Sequence, residues 1–443
     1  MPVAPDLRLG GHPAATALHL DGHTVTYGDL GALVADRSAA RSAEPADAVL
    51  DLTGRPVTEV LVEVFAAAAA RCRIRLADPA APAPAAAGPP DETHGGPGDA
   101  ADPHWLTVVT SGSSGSPRAV RRSVGSWTAS FAALSTLIGF SGADRVLLTG
   151  PLHATLHLFA AVHALAGGGE VTDAPERATI AHAVPAVLGD LVSDPRTSGL
   201  RTVVVAGAAV DPDLIDAAAH RGLSTVEYYG AAELSFVSAG VRRPGGSPGL
   251  RPFPGVTVDV RDGEIWVRSP YLSSGYPTGV TGPFRQDDAG FATVGDRGVL
   301  TADGHLLVRG RGSSAITVGG ATVLAEDVEA ALVPLVTRAR RSVAGRPAHA
   351  ATVAVVGAPV PRLAAVVVAV IADDDGPLDV AALRAAARRS LTGASLPRRW
   401  LAADRLPRTP GGKLARGALQ DAVRRYLAGR PPAPGDPRLR PLS

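Results

Sequence analysis

Short apolar stretches alternate with helical stretches along most of this sequence. AVLDL precedes the helical pattern PVTEVLVEVFAAAAARC, and from residue 105 the stretches LTVVT, RVLLTG, RTVVVAG and STVEYYG each lead through turn residues into a helical stretch. Such βα alternation is typical of a largely parallel sheet covered by helices. With 443 residues, 46% of them hydrophobic, the chain can bury a large core. The sequence therefore predicts an α/β fold.

The alternation changes in three places, and these changes predict the domain organisation. Residues 79–103 are rich in Pro, Ala and Gly and are expected to form a low-complexity loop. Residues 257–310 read as short strands separated by Gly and Asp, which indicates a β-rich subdomain. We expect a large N-terminal domain of αβ subdomains over 1–311, a small mobile α+β C-terminal domain over 312–428, and a disordered tail over 429–443.

Charge and cysteine content exclude several classes of protein. The formal net charge is +1, which predicts no broad surface for nucleic acid or for anionic membranes. Cys72 is the one cysteine, so no internal disulfide is expected and a cytoplasmic location is predicted. The first residues lack a signal-peptide pattern, and no apolar run reaches the roughly 20 residues that span a bilayer.

The basic residues are distributed unusually. The sequence has 43 Lys and Arg residues, of which Lys413 is the one lysine, and it has no Asn and two Gln. This bias is typical of a GC-rich genome such as that of an actinobacterium, in which Lys drifts to Arg wherever positive charge alone suffices. A lysine that persists under that pressure indicates a position that arginine cannot fill.

A strand followed by a small-residue loop suggests a phosphate site. The segment 106–120, LTVVTSGSSGSPRAV, enters a Ser/Thr/Gly loop that ends at Pro117 and Arg118. Small residues allow backbone N–H groups to approach phosphate oxygens, and the hydroxyl groups add donors. The loop does not match GxxxxGK[ST], which excludes a P-loop NTPase. A flexible Ser/Gly linker is the alternative that composition leaves open.

Six further segments follow the loop along the chain: VVAGAAVDPDL (204–214), EYYGAAEL (227–234), GEIWVRSPYLSSGY (263–276), TVGDRG (293–298), VRGRGSSAITVGGATVLAEDVEAAL (308–332) and LPRTPGGKLARGAL (406–419). Together with the loop, and in this order, they resemble the adenylate-forming (AMP-binding) superfamily of acyl-CoA synthetases, stand-alone adenylation enzymes and luciferases. Thr110–Arg118 is similar to the [ST]-S-G-[ST]-[ST]-G-x-P-K motif of that family at every position except the last.

The resemblance implies a ligase that uses ATP and Mg²⁺ to convert a small carboxylic acid into an acyl-adenylate with release of pyrophosphate. The acyl group would then pass to a thiol, with coenzyme A as the expected acceptor. Two alternatives stay open: a stand-alone enzyme that loads an acyl carrier protein or an amine, and a degenerate member that binds nucleotide without catalysis. No nucleic acid or membrane partner is expected.

The resemblance also assigns residues to the nucleotide. Adenine would stack on Tyr229 beside Gly230, Asp296 and Arg311 would contact the ribose, and Mg²⁺ would bind Glu233 and Thr110. Each of these residues also has an ordinary structural alternative. Glu233 could cap a strand end, Asp296 could be a turn residue, and Arg311 could form a surface ion pair. The resemblance assigns catalytic roles to Arg118, Glu233 and Lys413, and it places the hinge between the two domains at Gly312 and Ser313. The remaining residues assigned to the nucleotide are Ser111, Gly112, Ser113, Ser114, Gly115, Gly207, Ala208 and Ala209.

Lys413 is selected both by the composition of the chain and by the resemblance to the family. In the family, the lysine of this block bridges the substrate carboxylate and the α-phosphate. A compact ammonium on a flexible stem fits between two anions better than a planar guanidinium does. At Arg118, by contrast, the preferred lysine of the family has changed to arginine. The alternative, an arbitrary surface lysine, would place the single Lys in this block only by coincidence.

Some residues depart from the family pattern. Ala232 replaces the Thr of Y-G-x-T-E and removes a hydroxyl expected at the α-phosphate, and Thr317 stands where many relatives carry Lys. His153 and His157 in PLHATLHLF correspond to the border of the acid pocket, with Ala232 nearby. Their i, i+4 spacing could also place two metal ligands on one helix face, but no third ligand is evident, so pocket lining is the favoured interpretation.

Overall fold

The structure is a computed structural model, and its residues combine helices with several separate sheets. It describes residues 6–45, 48–79, 104–110, 118–208, 210–247, 249–277, 279–280, 282–311, 315–318, 321–340, 353–360, 364–372, 378–391, 393–409 and 412–442.

The elements before residue 130 follow the expected alternation. They are β1 (Thr16–Leu20), β2 (His23–Thr26), α1 (Tyr27–Arg41), β3 (Val49–Asp51), α2 (Val57–Ala70), β4 (Arg73–Leu76), β5 (His104–Thr110), β6 (Arg118–Ser123) and α3 (Val124–Thr128). The next elements are α4 (Phe131–Ile138), β7 (Arg145–Leu147), α5 (Thr155–Ala166), β8 (Glu170–Thr172), β9 (Ile180–Ala183), α6 (Pro185–Ser193), β10 (Thr202–Val205), α7 (Pro212–His220), β11 (Ser224–Ala231), β12 (Ser235–Arg242) and β13 (Arg251–Pro252).

Short strands dominate the part that follows. They are β14 (Thr257–Arg261), β15 (Glu264–Arg268), β16 (Arg285–Gln286), β17 (Ala292–Thr293), β18 (Asp296–Leu300) and β19 (Leu306–Arg311). The last elements are β20 (Ala315–Val318), β21 (Ala321–Leu324), α8 (Ala325–Ala339), β22 (Val353–Val360), β23 (Ala364–Ala372), α9 (Val380–Ser390), β24 (Arg399–Ala403), α10 (Arg416–Leu427) and β25 (Leu439–Pro441). Short 3₁₀ turns occupy Pro175–Arg177, Pro195–Gly199 and Gly393–Ser395.

The largest sheet positions the ends of several parallel strands beside one another. Within the described chain it runs β13-β12-β11-β10-β9-β7-β8-β1-β2. Strands β11, β10, β9, β7, β8 and β1 pair in parallel, whereas β2, β12 and β13 pair antiparallel to their neighbours. Ligands of open α/β sheets bind in the crevice outside the carboxyl ends of parallel strands, so the ends of β9 and β10 are where a site is expected.

A second sheet carries the expected phosphate loop. Its described strands run β3-β4-β5-β6, and β5 pairs in parallel with β4 but antiparallel with β6. Thr110 lies opposite Arg118 in that antiparallel ladder, so the two residues fix the ends of the connecting segment 111–117. That segment, like residues 80–103 of the expected low-complexity loop, lies outside the described residues.

The short strands of the expected β-rich subdomain form a sheet of their own. Its described strands run β16-β17-β15-β18-β19, with β14 also paired to β15. All of its pairs are antiparallel. Its apolar face, which includes Ile265 and Val267, packs with Leu234 and Val237 from the large sheet. The subdomain is therefore fixed against the segment that joins β11 to β12.

The C-terminal part forms a separate α+β unit. Its described strands run β21-β20-β23-β24-β25, with β22 also paired to β23, and α8, α9 and α10 pack on this sheet. The disordered tail expected over 429–443 is wrong for much of that segment. Leu439–Pro441 pairs with β24, and Leu442 is buried beside Leu383. Backbone pairing to an open sheet edge orders a segment whose Pro-rich composition predicts disorder.

The hydrophobic core divides near residue 311. Each described cluster of buried apolar residues draws either on residues before Arg311 or on residues after it. The boundary between two domains at 311 stays a prediction, and this division of the core supports it. Among the helices that the structure describes, none is both long enough and apolar enough to cross a membrane.

Candidate active site

The candidate site begins where β9 and β10 end. Because these strands pair in parallel, with Ala183 opposite Val205, the residues that follow them lie side by side. Gly207 follows β10 with a φ of +95°, a conformation that favours glycine. The loop then enters α7, whose N-cap Asp211 accepts a hydrogen bond from the N–H of Asp213.

The buried carboxylate of Glu227 is hydrogen-bonded to the same loop. Glu227 on β11 accepts a backbone hydrogen bond from Val210 and forms an ion pair with Arg242 at 2.6 Å. Burial raises the pKa of Glu227, and the attraction of Arg242 opposes that shift. This loop is the segment that the sequence assigns to the adenine side of the nucleotide, with Gly207 and Ala208 described and Ala209 outside the described residues.

Lys413 lies against Gly207, although the two residues are far apart in the sequence. A Cβ placed on Gly207 would be 2.8 Å from Lys413 Cε, and one placed on Gly412 would be 2.8 Å from Val184 Cγ2. Hydrogen bonds shape the lysine turn: the Lys413 N–H donates to Thr409 Oγ1 at 3.2 Å, and the Thr409 N–H donates to the Lys413 carbonyl at 2.7 Å. The structure thus brings the one lysine of the sequence to the end of β10.

The two residues expected at adenine and ribose are in contact with each other. The Tyr229 hydroxyl donates to Asp296 Oδ2 at 2.6 Å, and Asp296 is buried. Asp296 is the first residue of β18, and it faces Arg311 across the antiparallel ladder. Gly230 has no room for a side chain, because a Cβ there would lie 2.0 Å from the Ser235 carbonyl oxygen. The backbones of β11 and β12 therefore lie close together beside Tyr229.

Glu233, the expected magnesium ligand, lies between β11 and β12 and is largely buried. Its Oε1 accepts a hydrogen bond from the Tyr276 hydroxyl at 2.8 Å. Burial raises the pKa of Tyr276, and the charge and hydrogen bond of Glu233 raise it further, while Arg118 lowers it. Arg118, Tyr276 and Glu233 therefore belong to one electrostatic environment at the start of β6.

The donor set at Glu233 suits a nucleotide-bound magnesium ion. Tyr276 donates to Oε1 of Glu233, and carboxylate oxygens are hard ligands of the kind that Mg²⁺ takes. Mg²⁺ that binds nucleotide phosphates usually keeps several waters and takes one or two carboxylates from the protein. Within the described residues no group of three or more His, Cys, Asp or Glu side chains could hold a metal by itself.

The two histidines of the expected acid pocket do not share a helix face. Helix α5 begins at Thr155, and His153 lies in the turn before it, because the Ala154 N–H donates to the Pro151 carbonyl. The i, i+4 spacing therefore does not create a pair of ligands on one helix. The sequence could not show this, because PLHATLHLF lacks a clear helix-start signal.

His157, in the first turn of α5, contacts the residues that follow β7, the strand next to β9 in the large sheet. Its Nδ1 is 3.3 Å from the Thr149 hydroxyl, and a Cβ on Gly150 would lie 2.3 Å from its Nε2. Burial, together with a smaller effect of the nearby His153, lowers the pKa of His157 to about 4. Burial likewise lowers the pKa of His153, while Asp78 raises it. Both imidazoles are neutral at physiological pH, and lining of the acid pocket stays a prediction.

Several expected site residues cannot be placed in this geometry. The side chains of Thr110 and Arg311 are not described, although their backbones belong to β5 and β19. The residues that lie outside the described ranges are Ser111, Gly112, Ser113, Ser114, Gly115, Ala209, Gly312 and Ser313. Their roles therefore remain expectations.

Comparison with known proteins assigns the family. Residues 42–277 match the family described as AMP-binding enzyme. The chain belongs to the AMP-binding enzyme family. It is 30% identical over 342 residues to the uncharacterized acyl-CoA ligase YhfT of Bacillus subtilis (strain 168), a match covering 70% of this chain and 67% of that protein. It is 31% identical over 354 residues to a probable 2-succinylbenzoate-CoA ligase of Mycobacterium tuberculosis (strain CDC 1551 / Oshkosh), covering 72% of this chain and 84% of that relative.

A solved structure confirms the architecture of this AMP-binding enzyme. The crystal structure of ATP-bound MatB from Rhodopseudomonas palustris superposes with a TM-score of 0.76 at 20% identity, covering 94% of this chain and 97% of that one. At this identity the likeness concerns the fold. The mixed α/β class predicted from the sequence is confirmed.

Two functional candidates escaped the sequence analysis. Tyr276 closes the segment GEIWVRSPYLSSGY, but no pattern indicates that its hydroxyl reaches Glu233. Arg122 is fully buried behind the Glu233 loop. Its signal in the sequence is weak, because the strand-like stretch RAVRRS contains three arginines and does not show which of them is buried.

Proposed function

We propose that this AMP-binding enzyme is an AMP-forming acid–thiol ligase that activates a carboxylic acid with ATP and transfers the acyl group to coenzyme A. The contact of Lys413 with Gly207 carries the proposal. It brings the Lys413 side chain, from the C-terminal part, to the strand ends where the nucleotide of such an enzyme would lie. The names of the acyl-CoA ligase relatives support coenzyme A as the acceptor.

In the first half-reaction a carboxylate oxygen of the acid attacks the α-phosphorus of ATP, and the bond to the β-phosphate oxygen breaks. Pyrophosphate leaves with that electron pair, and the acyl-adenylate remains. Lys413 would lie between the carboxylate and the α-phosphate and would stabilise the negative charge that develops there. Arg118, at the start of β6, would stabilise the leaving pyrophosphate together with the loop from Thr110 to Gly115.

The nucleotide would be held by residues from three elements. Tyr229 would stack on the adenine beside Gly207 and Ala208, and Asp296 would accept hydrogen bonds from ribose hydroxyls. Glu233 and Thr110 would bind Mg²⁺, which when bound neutralises phosphate charge. The hydrogen bond from Tyr229 to Asp296 aligns both side chains, so the adenine and ribose contacts form on a rigid base.

In the second half-reaction the thiol of coenzyme A attacks the acyl carbon, AMP leaves with the electron pair of the acyl–phosphate bond, and the thiol proton passes to solvent. Lys413 would have to withdraw from the strand ends before the thiol could enter. Rotation at Gly312 and Ser313, just after Arg311, would move the whole C-terminal part with Lys413. The supporting observation is that the core divides at this position.

The test is acid-dependent exchange of labelled pyrophosphate into ATP, measured over a panel of aliphatic, dicarboxylic and aromatic acids. Exchange with at least one acid is expected, followed by acyl-CoA formation when coenzyme A is added. Tight binding of ATP without exchange on any acid would favour the degenerate, non-catalytic alternative, which the missing hydroxyl at Ala232 motivates. Exchange without acyl-CoA formation, but with acylation of a carrier protein or an amine, would show that the acceptor is not coenzyme A. The proposed adenylation step would still hold.

A further inference from the structure

Arg122 is a charged residue enclosed by the protein. It lies on β6, is 2% exposed, and its guanidinium carbon is 5.6 Å from the centre of the Trp127 ring. Burial lowers the pKa of Arg122 to about 10, and attraction to Glu233 opposes that shift. The side chain is therefore positively charged at physiological pH, inside the protein and close to the candidate magnesium ligand.

Its guanidinium binds backbone carbonyls of three separate segments. Nη1 donates to the Ala232 carbonyl at 3.1 Å, while Nη2 donates to the carbonyls of Ser126 and Tyr271, both at 2.8 Å. Arg122 Nε has no hydrogen-bond partner among the described residues. A planar guanidinium presents its donors in a fixed fork, so a single side chain sets the distances among these three segments.

Two of these segments carry the magnesium ligand and its hydrogen-bond donor. Ala232 directly precedes Glu233, and the segment from Tyr271 ends at Tyr276, whose hydroxyl donates to Glu233. The Ser273 N–H also donates to the Glu233 carbonyl at 2.8 Å. A displacement of either carbonyl bound by Arg122 would therefore shift the carboxylate or its phenol partner.

The backbone of β6 is attached to the same segment. The Arg121 N–H donates to the Gly275 carbonyl, and the Ser274 N–H donates to the Arg121 carbonyl, both at 2.9 Å. Arg121 Nη2 reaches the Tyr276 carbonyl at 3.0 Å. Strand β6, which begins at Arg118, is thus joined to Tyr276 by its backbone and to Glu233 through Arg122.

A buried charge at this position is hard to explain by stability alone. Desolvation of a charged group is costly, and well-packed apolar residues of similar volume often stabilise a protein as well as buried ionic groups do. An apolar side chain at this buried position of β6 would satisfy the core without that cost. The charge and the three fixed donors are therefore consistent with a role in the site.

We propose that Arg122 is a positioning residue that holds the Glu233 carboxylate and the Tyr276 hydroxyl in register with β6, so that Glu233 can bind the divalent cation of the bound nucleotide. The inference rests on the proposed function, because it takes Glu233 as that ligand. Partners that orient metal ligands typically change metal affinity or activity about 10- to 100-fold when they are mutated.

The test measures cation binding directly. Mn²⁺, which also prefers oxygen ligands, is titrated into the full chain with α,β-methylene-ATP and followed by electron paramagnetic resonance. Arg122→Met is expected to raise the dissociation constant for Mn²⁺ at least about tenfold. Arg122→Lys, which keeps the charge but not the fork, is expected to show a smaller increase. Arg122→Lys also provides the Mn²⁺ affinity to be compared if Arg122→Met does not fold.

Arg201→Met is the matched control. Arg201 donates to the carbonyls of Ile138 and Gly139 and pairs with Asp144, away from the site. It is expected to lower the unfolding temperature without changing Mn²⁺ affinity. Wild-type Mn²⁺ affinity in a folded Arg122 variant, or an equal loss in the control, would overturn the positioning role. If the unmodified chain does not bind Mn²⁺ with the analogue, the assignment of Glu233 and the proposed function fail as well.

Discussion

We expect Gly207→Ala to distinguish the effect of displacing Lys413 on activity from an effect on the stability of the fold. A Cβ at residue 207 would lie 2.8 Å from Lys413 Cε, and ordinary contact begins at 3.4 Å, so the end of the lysine side chain must move by at least 0.6 Å. Because the lysine is flexible, the contact itself is relieved at little cost in folding. A misplacement of about 1 Å in a catalytic group can lower a rate about 10²-fold, which corresponds to about 2.7 kcal/mol of transition-state free energy.

The substitution also strains the backbone, because Gly207 has a φ of +95°. Such strain costs about 1–3 kcal/mol and would lower the unfolding temperature. Gly222→Ala provides the control, since Gly222 has a φ of +72° and nothing within 4 Å of the added Cβ. Both variants should lose stability, but only Gly207→Ala should lose pyrophosphate exchange at saturating acid. Wild-type exchange by Gly207→Ala, or an equal loss by Gly222→Ala, would refute the reasoning.

Two further predictions concern the phosphate contact and the buried histidines. Ala232→Thr is expected to raise pyrophosphate exchange at saturating acid by a few-fold to a hundredfold, because one hydrogen bond to phosphate contributes about 0.5–3 kcal/mol; a lower rate in a folded variant would mean that another group orients the phosphate. Burial lowers the pKa of His157 and His163 to about 4 and that of His182 to about 3, so the unfolded chain binds protons first as the pH falls. The free energy of unfolding should therefore be fully present above about pH 6.5 and fall by up to about 1.4 kcal/mol per histidine per pH unit below it. Urea unfolding at pH 7.5, 6 and 5 checks this, and midpoints that do not change would contradict it.

Periodicity was sufficient for most elements of the fold. The apolar stretches AVLDL, RTVVVAG and STVEYYG correspond to β3, β10 and β11, and the helical pattern PVTEVLVEVFAAAAARC corresponds to α2. These elements have strong apolar spacing and pack locally. Strand β25 was missed, because its order depends on the free edge of β24 and leaves no periodic signal in a Pro-rich segment.

The site was less accessible to sequence reasoning. Motif resemblance selected Lys413, Glu233, Tyr229 and Asp296, but it did not show that the last two are hydrogen-bonded to each other. The hydroxyl of Tyr276 and the guanidinium of Arg122 reach the Glu233 loop from other segments. Such contacts depend on how strands from two sheets pack together, and spacing within one segment carries no information about them.

Exchange of pyrophosphate by Lys413→Arg tests the central claim most directly. The substitution keeps the charge at the position of the one lysine in the sequence, and Lys413→Ala measured beside it removes the charge. The account predicts that the Arg variant binds ATP and folds like the unmodified chain but exchanges at least about 10²-fold more slowly, which is about 2.7 kcal/mol. Exchange by Lys413→Arg at nearly the rate of the unmodified chain would contradict it.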